Sequence, residues 1–282
     1  MAMTINTNVS SLTAQRNLTR TNSMLSQAME RLSSGLRVNS AKDDAAGLAI
    51  ATKMNTQIKG NTVAIRNAND GISLAQTTEG ALNSVTDMFQ RMRELSVEAA
   101  NATNGDDLAE LNDEYTALCA EIGRVMTSTE FNGVAVLAGG AAGGLTFQVG
   151  ANNQPDNQIT VTIGDLSTDA TITTAAGAAG APTTILTATD ALAAITNIDA
   201  ALNTVNTARS TLGSVQNRFS YTIANLEISV ENTSAARGRI IDADFAAETA
   251  ALSKAQILQQ AGTAMLSQAN AQPQGVLKLL QG

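Results

Sequence analysis

Cys119 carries the side chain best suited to covalent chemistry in this sequence, because a thiolate can act as a nucleophile near neutral pH. It is the single cysteine of a 282-residue chain that contains no histidine. A cysteine nucleophile requires an adjacent base, and histidine is the usual one. The composition therefore favours a structural Cys119, a small apolar residue within a helix, and excludes an intrachain disulfide and a histidine-based triad.

Metal ligation and carboxylate catalysis are the remaining chemistries. A zinc site needs several Cys or His ligands, which the chain lacks. The 25 acidic residues are scattered over predicted helix surfaces, where carboxylates normally face solvent. Carboxylate-only catalysis stays open on composition alone. We nevertheless expect no enzymatic activity, no metal and no cofactor.

The net charge of −8 is unevenly distributed along the chain. Residues 1–60 carry seven basic and three acidic groups. Residues 61–208 carry four basic and 17 acidic groups, and residues 209–282 carry six basic and five acidic groups. The basic N-terminal segment is not dense and contains no aromatic residue, so we expect no nucleic-acid binding. No apolar run reaches the roughly 18 residues of a membrane span, and the N-terminus lacks the basic and apolar regions of a cleaved signal peptide.

The N-terminal segment, residues 5–36, has the apolar spacing of an amphipathic helix. Leu18, Leu25 and Leu32 are seven residues apart, which is the heptad spacing of a coiled coil. The other faces carry Ser, Thr, Asn and Gln rather than charged side chains, which indicates helical partners on several sides. We expect this helix to end at residues 33–35, Ser-Ser-Gly.

The C-terminal segment carries a second stripe from Asp242 onward. Apolar and small residues recur in steps of three and four, including Leu258, Gly262 and Met265. Small residues let a second helix approach closely. We therefore predict that the two terminal helices pair with each other, and that Leu18, Leu25, Leu32, Leu258 and Met265 serve self-assembly.

The segment between these ends predicts a long helical hairpin. Residues 61–99 carry two offset apolar stripes, which predict a helix roughly 55–60 Å long with two buried faces. The turn-forming residues 101–105 precede a second helix that we expect to begin at Asp106 and Asp107, because acidic groups favour a helix N-terminus. The short connection makes the two helices antiparallel.

A small β region follows, and helix then resumes. Residues 131–137 predict a turn and strand, and residues 145–149 and 159–163 alternate as strands do. Residues 165–189 are rich in Thr, Ala and Gly and predict an exposed loop with one or two short strands. Asp190 is the predicted N-cap of a long helix that Gly238 interrupts. The predicted fold class is mainly α: a long helical bundle or coiled coil from the terminal segments with a small central β-hairpin region.

Several motifs resemble those of bacterial flagellin, in the family's order and over nearly the whole chain. They are residues 5–18 (INTNVSSLTAQRNL), 31–50 (RLSSGLRVNSAKDDAAGLAI), 90–101 (QRMRELSVEAAN), 129–134 (TEFNGV), 145–152 (LTFQVGAN), 212–219 (LGSVQNRF), 242–246 (DADFA), 255–262 (AQILQQAG) and 267–270 (SQAN). Only residues 167–190 or so lack a counterpart, which suits a flagellin with a short variable region.

The resemblance implies a structural subunit that polymerises into the helical flagellar filament. Residues 1–43 and 245–282 would form an inner coiled-coil domain, 44–165 and 190–244 an outer helical domain with a β-hairpin, and 166–189 a reduced variable surface region. Residues 31–44 resemble the spoke between the layers, although Lys42, Asp43 and Asp44 are equally well interpreted as helix-end charges.

The resemblance also implies partners and a location. The partners are further copies of the chain, the flagellar cap and hook-associated proteins, and an export chaperone on the C-terminal helix. The location is the extracellular filament, reached through the flagellar secretion apparatus without a cleaved signal peptide. Family members are also recognised by an animal Toll-like receptor. Gln90, Arg91, Glu94, Leu95 and Glu114 match positions of that receptor site, and filament packing is the alternative role for the same face.

Two other function classes are compatible with parts of this sequence. A hook–filament junction protein of the same superfamily would share the N-terminal motif, but it is less expected to carry the motifs at 90–101 and 255–270 together. A flagellin with a catalytic zinc insert would need a His-Glu-x-x-His motif, which a chain without histidine cannot contain.

Overall fold

The computed structural model describes residues 7–101, 108–177 and 183–281, with side chains through residue 272. It confirms a mainly α fold, in which the described residues form six helices and two small antiparallel sheets. The chain divides into two compact units, Met1–Ile58 with Glu231–Gly282, and Lys59–Val230. Among the described residues, no helix combines the length and the apolar character needed to cross a membrane.

The first unit is built on two terminal helices, α1 (Val9–Ser34) and α6 (Phe245–Gln281). Helix α1 ends as predicted, because Gly35 adopts a left-handed conformation (φ 71°) and its N–H bonds to the carbonyl of Arg31. The connection after α1 then lies antiparallel to the connection before α6, through a bridge between Leu36 and Asp242. This bridge holds the start of α6 beside the end of α1.

The ends of two longer helices complete the first unit. Helix α2 (Ala45–Ala99) contributes its residues up to 58, and helix α5 (Ala188–Ile241) its residues from 231. Val38, Ala51 and Ile241 form a small buried cluster there. The carboxylate of Asp44 accepts a hydrogen bond from the N–H of Gly47 at 2.8 Å, and therefore caps α2.

The second unit contains the rest of α2 and α5, helix α3 (Leu108–Ser128) and the sheets. Phe89, Leu82 and Leu95 of α2 are fully buried, as are Tyr115 of α3 and Phe219 of α5. Helix α2 begins 16 residues earlier than the predicted helix at residue 61. The predicted start of α3 at Asp106 and Asp107 lies outside the described residues.

Two hairpins form the predicted β region. Strands β1 (Glu130–Phe131) and β2 (Val134–Ala135) are joined by Asn132 and Gly133, both at positive φ (51° and 78°), as a type I′ turn requires. Strands β3 (Leu145–Gln148) and β4 (Gln158–Val161) pair antiparallel. The hairpin docks on the helices: the rings of Phe147 and Phe219 meet edge to face with centroids 5.5 Å apart, and Asn67 donates to the carbonyl of Gln148 at 2.9 Å.

Residues 165–189 differ from the prediction of an exposed loop with short strands. They contain a helix, α4 (Ala170–Ala176), capped by Asp169 and buried through Ile172, Ala175 and Ala176. The hydroxyl of Tyr115 and that of Thr183 both donate to the carbonyl of Ala175, at 3.1 and 2.8 Å. The Thr-, Ala- and Gly-rich composition does not reveal these contacts, because the apolar side chains form one buried face only when they are arranged on a helix.

Three helix boundaries also differ from the prediction. Helix α5 begins two residues before Asp190, and the N–H of Asp190 bonds instead to the hydroxyl of Thr187 at 3.1 Å. Gly238 does not interrupt α5, which continues to Ile241. Helix α6 begins after Asp244 rather than at Asp242, because the carboxylate of Asp244 accepts the N–H of Ala246 at 2.9 Å.

Candidate assembly and recognition surfaces

The contact between α1 and α6, here called the terminal seam, is a continuous repeat of three and four residues. On α1 it comprises Ser11, Ala14, Leu18, Thr21, Leu25, Ala28 and Leu32, each buried or half-buried. On α6 it comprises Glu248, Leu252, Ala255, Gln259, Gly262, Leu266 and Ala269. The three predicted leucines of α1 therefore lie in the seam, at positions typical of a two-stranded coiled coil.

Polar contacts set the alignment of the two helices along the seam. Arg31 and Glu248 form an ion pair of 3.0 Å at one end. At the other end, the amide of Asn8 donates to the carbonyl of Ala269 at 2.8 Å, and the hydroxyl of Ser11 bonds to the side-chain oxygen of Asn270 at 2.7 Å. Shifting one helix along the other would break these contacts together.

The terminal seam contains few large apolar side chains. Ser11, Thr21, Gln259 and Gly262 occupy positions that Leu or Ile fills in a stable coiled coil. A Cβ atom at Gly262 would lie 3.3 Å from Leu18 Cδ1, so the helices approach closely at this glycine. The pair thus buries little apolar surface for its length, and the hydrophobic contribution to its stability is small.

Leu258 and Met265 lie outside the terminal seam, which corrects the predicted stripe on α6. Their side chains are 40% and 64% exposed, and neighbouring Ile257 is 66% exposed. Ala251, Leu258 and Met265 are seven residues apart and form a separate, exposed stripe beside the seam. The sequence allowed two stripes because Ala255, Gly262 and Ala269 fit both, and only the observed packing of α1 distinguishes them.

The second candidate surface, here called the Arg91 patch, comprises Gln90, Arg91, Glu94 and Glu114, all exposed. Arg91 bridges α2 and α3: its Nε and Nη2 lie 2.7 and 3.0 Å from the two carboxylate oxygens of Glu114. Its Nη1 lies 3.1 Å from Glu94 Oε2. These bonds from Arg91 lower the pKa of Glu114, whereas Glu114 and Glu94 together raise the pKa of Arg91.

Leu95, the fifth residue predicted for this site, is fully buried. Its side chain packs in the core of the second unit, so it does not present an apolar group to a partner. The motif resemblance identifies Leu95 as a position of the site, but it does not indicate the direction of the side chain. That direction depends on the packing of α3 and α5 around α2.

The remaining candidate residues have structural roles. Cys119 is buried, and burial raises the pKa of its thiol to about 11, so the reactive thiolate is scarce at neutral pH. This confirms the structural interpretation. Asp43 accepts hydrogen bonds from the hydroxyl and N–H of Ser40, both 2.9 Å, and these bonds lower its pKa. No group of three or more Cys, Asp or Glu within the described ranges could hold a metal ion.

Two family models match the chain. The bacterial flagellin N-terminal helical region matches residues 5–142, and the bacterial flagellin C-terminal helical region matches residues 195–280. The first includes α1, α2, α3 and the first hairpin, and the second includes most of α5 and α6. Both candidate surfaces therefore lie within the matched ranges.

Individual relatives extend the similarity to full length. A flagellin from Halalkalibacterium halodurans is 46% identical over 280 residues, covering 99% of this chain and all of the relative. A flagellin from Xenorhabdus nematophila is 45% identical and covers both chains fully. A solved structure of a putative flagellar hook-associated protein from Vibrio parahaemolyticus has a TM-score of 0.57 over 71% of this chain and 100% of that chain, at 13% identity, and shares the fold alone.

Proposed function

This chain belongs to the bacterial flagellin family and is a structural subunit of the extracellular flagellar filament, and we propose that it polymerises through its paired terminal helices. Flagellins are structural proteins that serve swimming motility, not enzymes. The observation that carries the proposal is the exposed stripe of Ala251, Leu258 and Met265 beside the terminal seam.

An exposed apolar stripe on a weakly packed helix pair favours association with further copies. Burying Leu258 and Met265 against another subunit would add roughly 25 cal/mol for each Å² of apolar surface removed from water. The contact would join different surfaces of successive subunits, and such contacts produce open helical polymers rather than closed rings. Leu18, Leu25 and Leu32 contribute indirectly, because they hold α6 in place within each subunit.

Seeded elongation tests this mechanism. We expect purified protein to extend filament fragments, and a Leu258→Ser/Met265→Ser variant to extend them several-fold more slowly while keeping its helical content by circular dichroism. A Gln256→Ser/Gln260→Ser variant, which changes polar side chains on the same helix, should elongate normally. If the Leu258→Ser/Met265→Ser variant elongated at the rate of the unmodified protein, the stripe would not be part of the assembly surface.

We also propose the layered arrangement that the family resemblance implies. Residues 1–43 with 245–282 would form the inner coiled coil of the filament, 44–165 with 190–244 its outer layer, and 166–189 the reduced variable surface. The first compact unit includes all of the proposed inner segment and extends to Ile58 and from Glu231. Deleting residues 246–282 should leave a folded, soluble protein that does not elongate. Continued elongation by this truncated chain would contradict the proposal.

The Arg91 patch is the proposed recognition site for the animal flagellin-sensing Toll-like receptor, with packing between subunits as its role in the filament. The support is its family motif and the exposure of Gln90, Arg91, Glu94 and Glu114 on one face. Leu95 would act from the core by supporting that face. Arg91 is bonded to two carboxylates, those of Glu94 and Glu114, and these contacts orient its guanidinium.

Receptor signalling by Arg91→Ala tests this assignment. We expect reduced signalling, whereas Arg93→Ala should signal normally, because Arg93 is equally exposed but pairs with Asp199 of α5 at 2.8 Å. Equal signalling by both variants would refute the assignment of the Arg91 patch as the receptor site. Leu95→Ala removes a buried side chain, so any reduction in signalling by this variant should be accompanied by a reduction in thermal stability.

We propose the remaining partners because the chain resembles family members that have them. They are the flagellar cap and hook-associated proteins, and an export chaperone that covers the C-terminal helix until secretion through the flagellar apparatus without a cleaved signal. The exposed Ile257, Leu258 and Met265 provide apolar surface for such a chaperone. Electron microscopy of seeded protein distinguishes the alternative junction role: a filament subunit forms long filaments, and a hook–filament adaptor does not.

A further inference from the structure

The turn between β1 and β2 contains an unusually unprotected pair, Asn132 and Gly133. Both residues are exposed, and a Cβ atom built on Gly133 would meet nothing within 4 Å. Neither the side-chain amide of Asn132 nor the N–H of Gly133 has a hydrogen-bond partner among the described residues. In contrast, the amides of Asn67 and Asn112 are engaged by backbone groups.

We propose that Asn132 is a site of spontaneous deamidation, a covalent modification of the folded protein that requires no enzyme. The backbone nitrogen of Gly133 attacks Cγ of Asn132, forming a C–N bond. The bond from Cγ to the side-chain nitrogen breaks, and ammonia leaves with the proton from Gly133. Water then opens the cyclic imide at either carbonyl, producing aspartate or isoaspartate without any change of oxidation state.

Two structural features permit this reaction in the folded protein. Glycine places no side chain against the approaching amide, so ring closure is not sterically blocked. The hairpin contains only two residue pairs, Glu130 with Ala135 and Phe131 with Val134. Opening the second pair frees the turn, and such short, exposed segments open locally at low free-energy cost.

The product would change the hairpin as well as its charge. Isoaspartate inserts an additional carbon into the backbone of a two-residue turn, whose geometry sets the pairing of the flanking strands. Val136 and Leu137, directly after β2, are fully buried, so a displaced strand would disturb the adjacent core. Both products also add a carboxylate to an already acidic segment.

The test is peptide mass spectrometry of the intact, folded protein after incubation in mildly alkaline and mildly acidic buffer. We expect the modification to accumulate at Asn132, several-fold faster in the alkaline buffer, because the attacking nitrogen must lose its proton. It should also exceed the modification at Asn217, an exposed asparagine followed by Arg218. An isoaspartate-specific methyltransferase assay identifies the rearranged product.

The Asn132→Gln variant should lose the modification, because its longer side chain cyclises far less readily. Asn104, which also precedes a glycine, is quantified in the same digest so that the two sites are not confused. Modification of Asn132 in denatured protein but not in folded protein would overturn the proposal, since the turn would then be protective.

Discussion

Arg31, in the last turn of α1, lies 3.0 Å from Glu248, in the first turn of α6, and both side chains are mostly buried. The pair closes the terminal seam beside the point where Leu36 and Asp242 bridge the two connections. A basic group near a helix C-terminus and an acidic group near a helix N-terminus also complement the helix dipoles. Backbone and side chains therefore fix the same alignment of the two terminal helices.

Glu248→Gln should weaken the terminal pair. The variant keeps one hydrogen-bond acceptor but removes the charge opposite Arg31, which should cost about 1 kcal/mol of stability. Thermal unfolding followed by circular dichroism measures the change. The exposed Glu231→Gln in the same unit should leave the midpoint unchanged. An equal effect of both substitutions would show that net charge, rather than the Arg31 contact, is responsible.

Gly71→Ala should destabilise the second unit despite the higher helix propensity of alanine. A Cβ atom at Gly71 would lie 2.5 Å from Cζ of Phe219, whose ring also contacts Phe147. Displacing this ring should cost about 1–3 kcal/mol. Chemical denaturation measures the difference in unfolding free energy.

Gly80→Ala is the matched control on the same helix, because a Cβ atom there meets nothing within 4 Å. This substitution should stabilise α2 by up to about 1 kcal/mol. If Gly71→Ala were stabilising to the same extent, the approach of α5 to α2 at this glycine would be looser than the structure indicates.

Cys119 should react slowly with thiol reagents in the folded protein. Its pKa of about 11, against a reference value of 9.0, implies an about hundredfold smaller thiolate fraction at neutral pH. Absorbance-based labelling with and without denaturant measures the ratio of rates. The hydroxyl of Thr183 lies 3.9 Å from the Cys119 sulfur. Rapid labelling of the folded chain would show that α3 and the segment around Thr183 separate readily.

Acid should destabilise the protein through carboxylates whose pKa is lowered by native contacts, notably Glu114 beside Arg91 and Asp43 beside Ser40. A carboxylate with a lowered folded pKa stabilises the fold above its unfolded pKa of about 4, and this contribution disappears as the pH falls through the folded pKa. Stability should thus be flat near neutrality and decrease below about pH 4.

Glu114→Gln isolates one of these groups. The variant should show a shallower loss of stability in acid, measured as the thermal midpoint across a pH series. Asp113→Asn removes an exposed acid next to it and should leave the slope unchanged. A slope that both substitutions alter equally would indicate general charge repulsion rather than the contact with Arg91.

Local patterns in the sequence determined much of the fold. The heptad of Leu18, Leu25 and Leu32 predicted α1 and its pairing, and residues 131–137 predicted the turn and one strand of the first hairpin. The family motifs likewise indicate the chain's role without reference to any tertiary contact. These features are readable because helix periodicity, turn chemistry and motif order depend on neighbouring residues alone.

Tertiary structure decided which side of each pattern is used. It placed Leu258 and Met265 outside the terminal seam, buried Leu95 beneath the Arg91 patch, and made α4 from residues expected to form a loop. Arg31 pairs with Glu248, 217 residues away in sequence, and Arg91 with Glu114 across a hairpin. A periodic helix offers several faces, and only the surfaces packed against it determine which face is buried and which remains available to a partner.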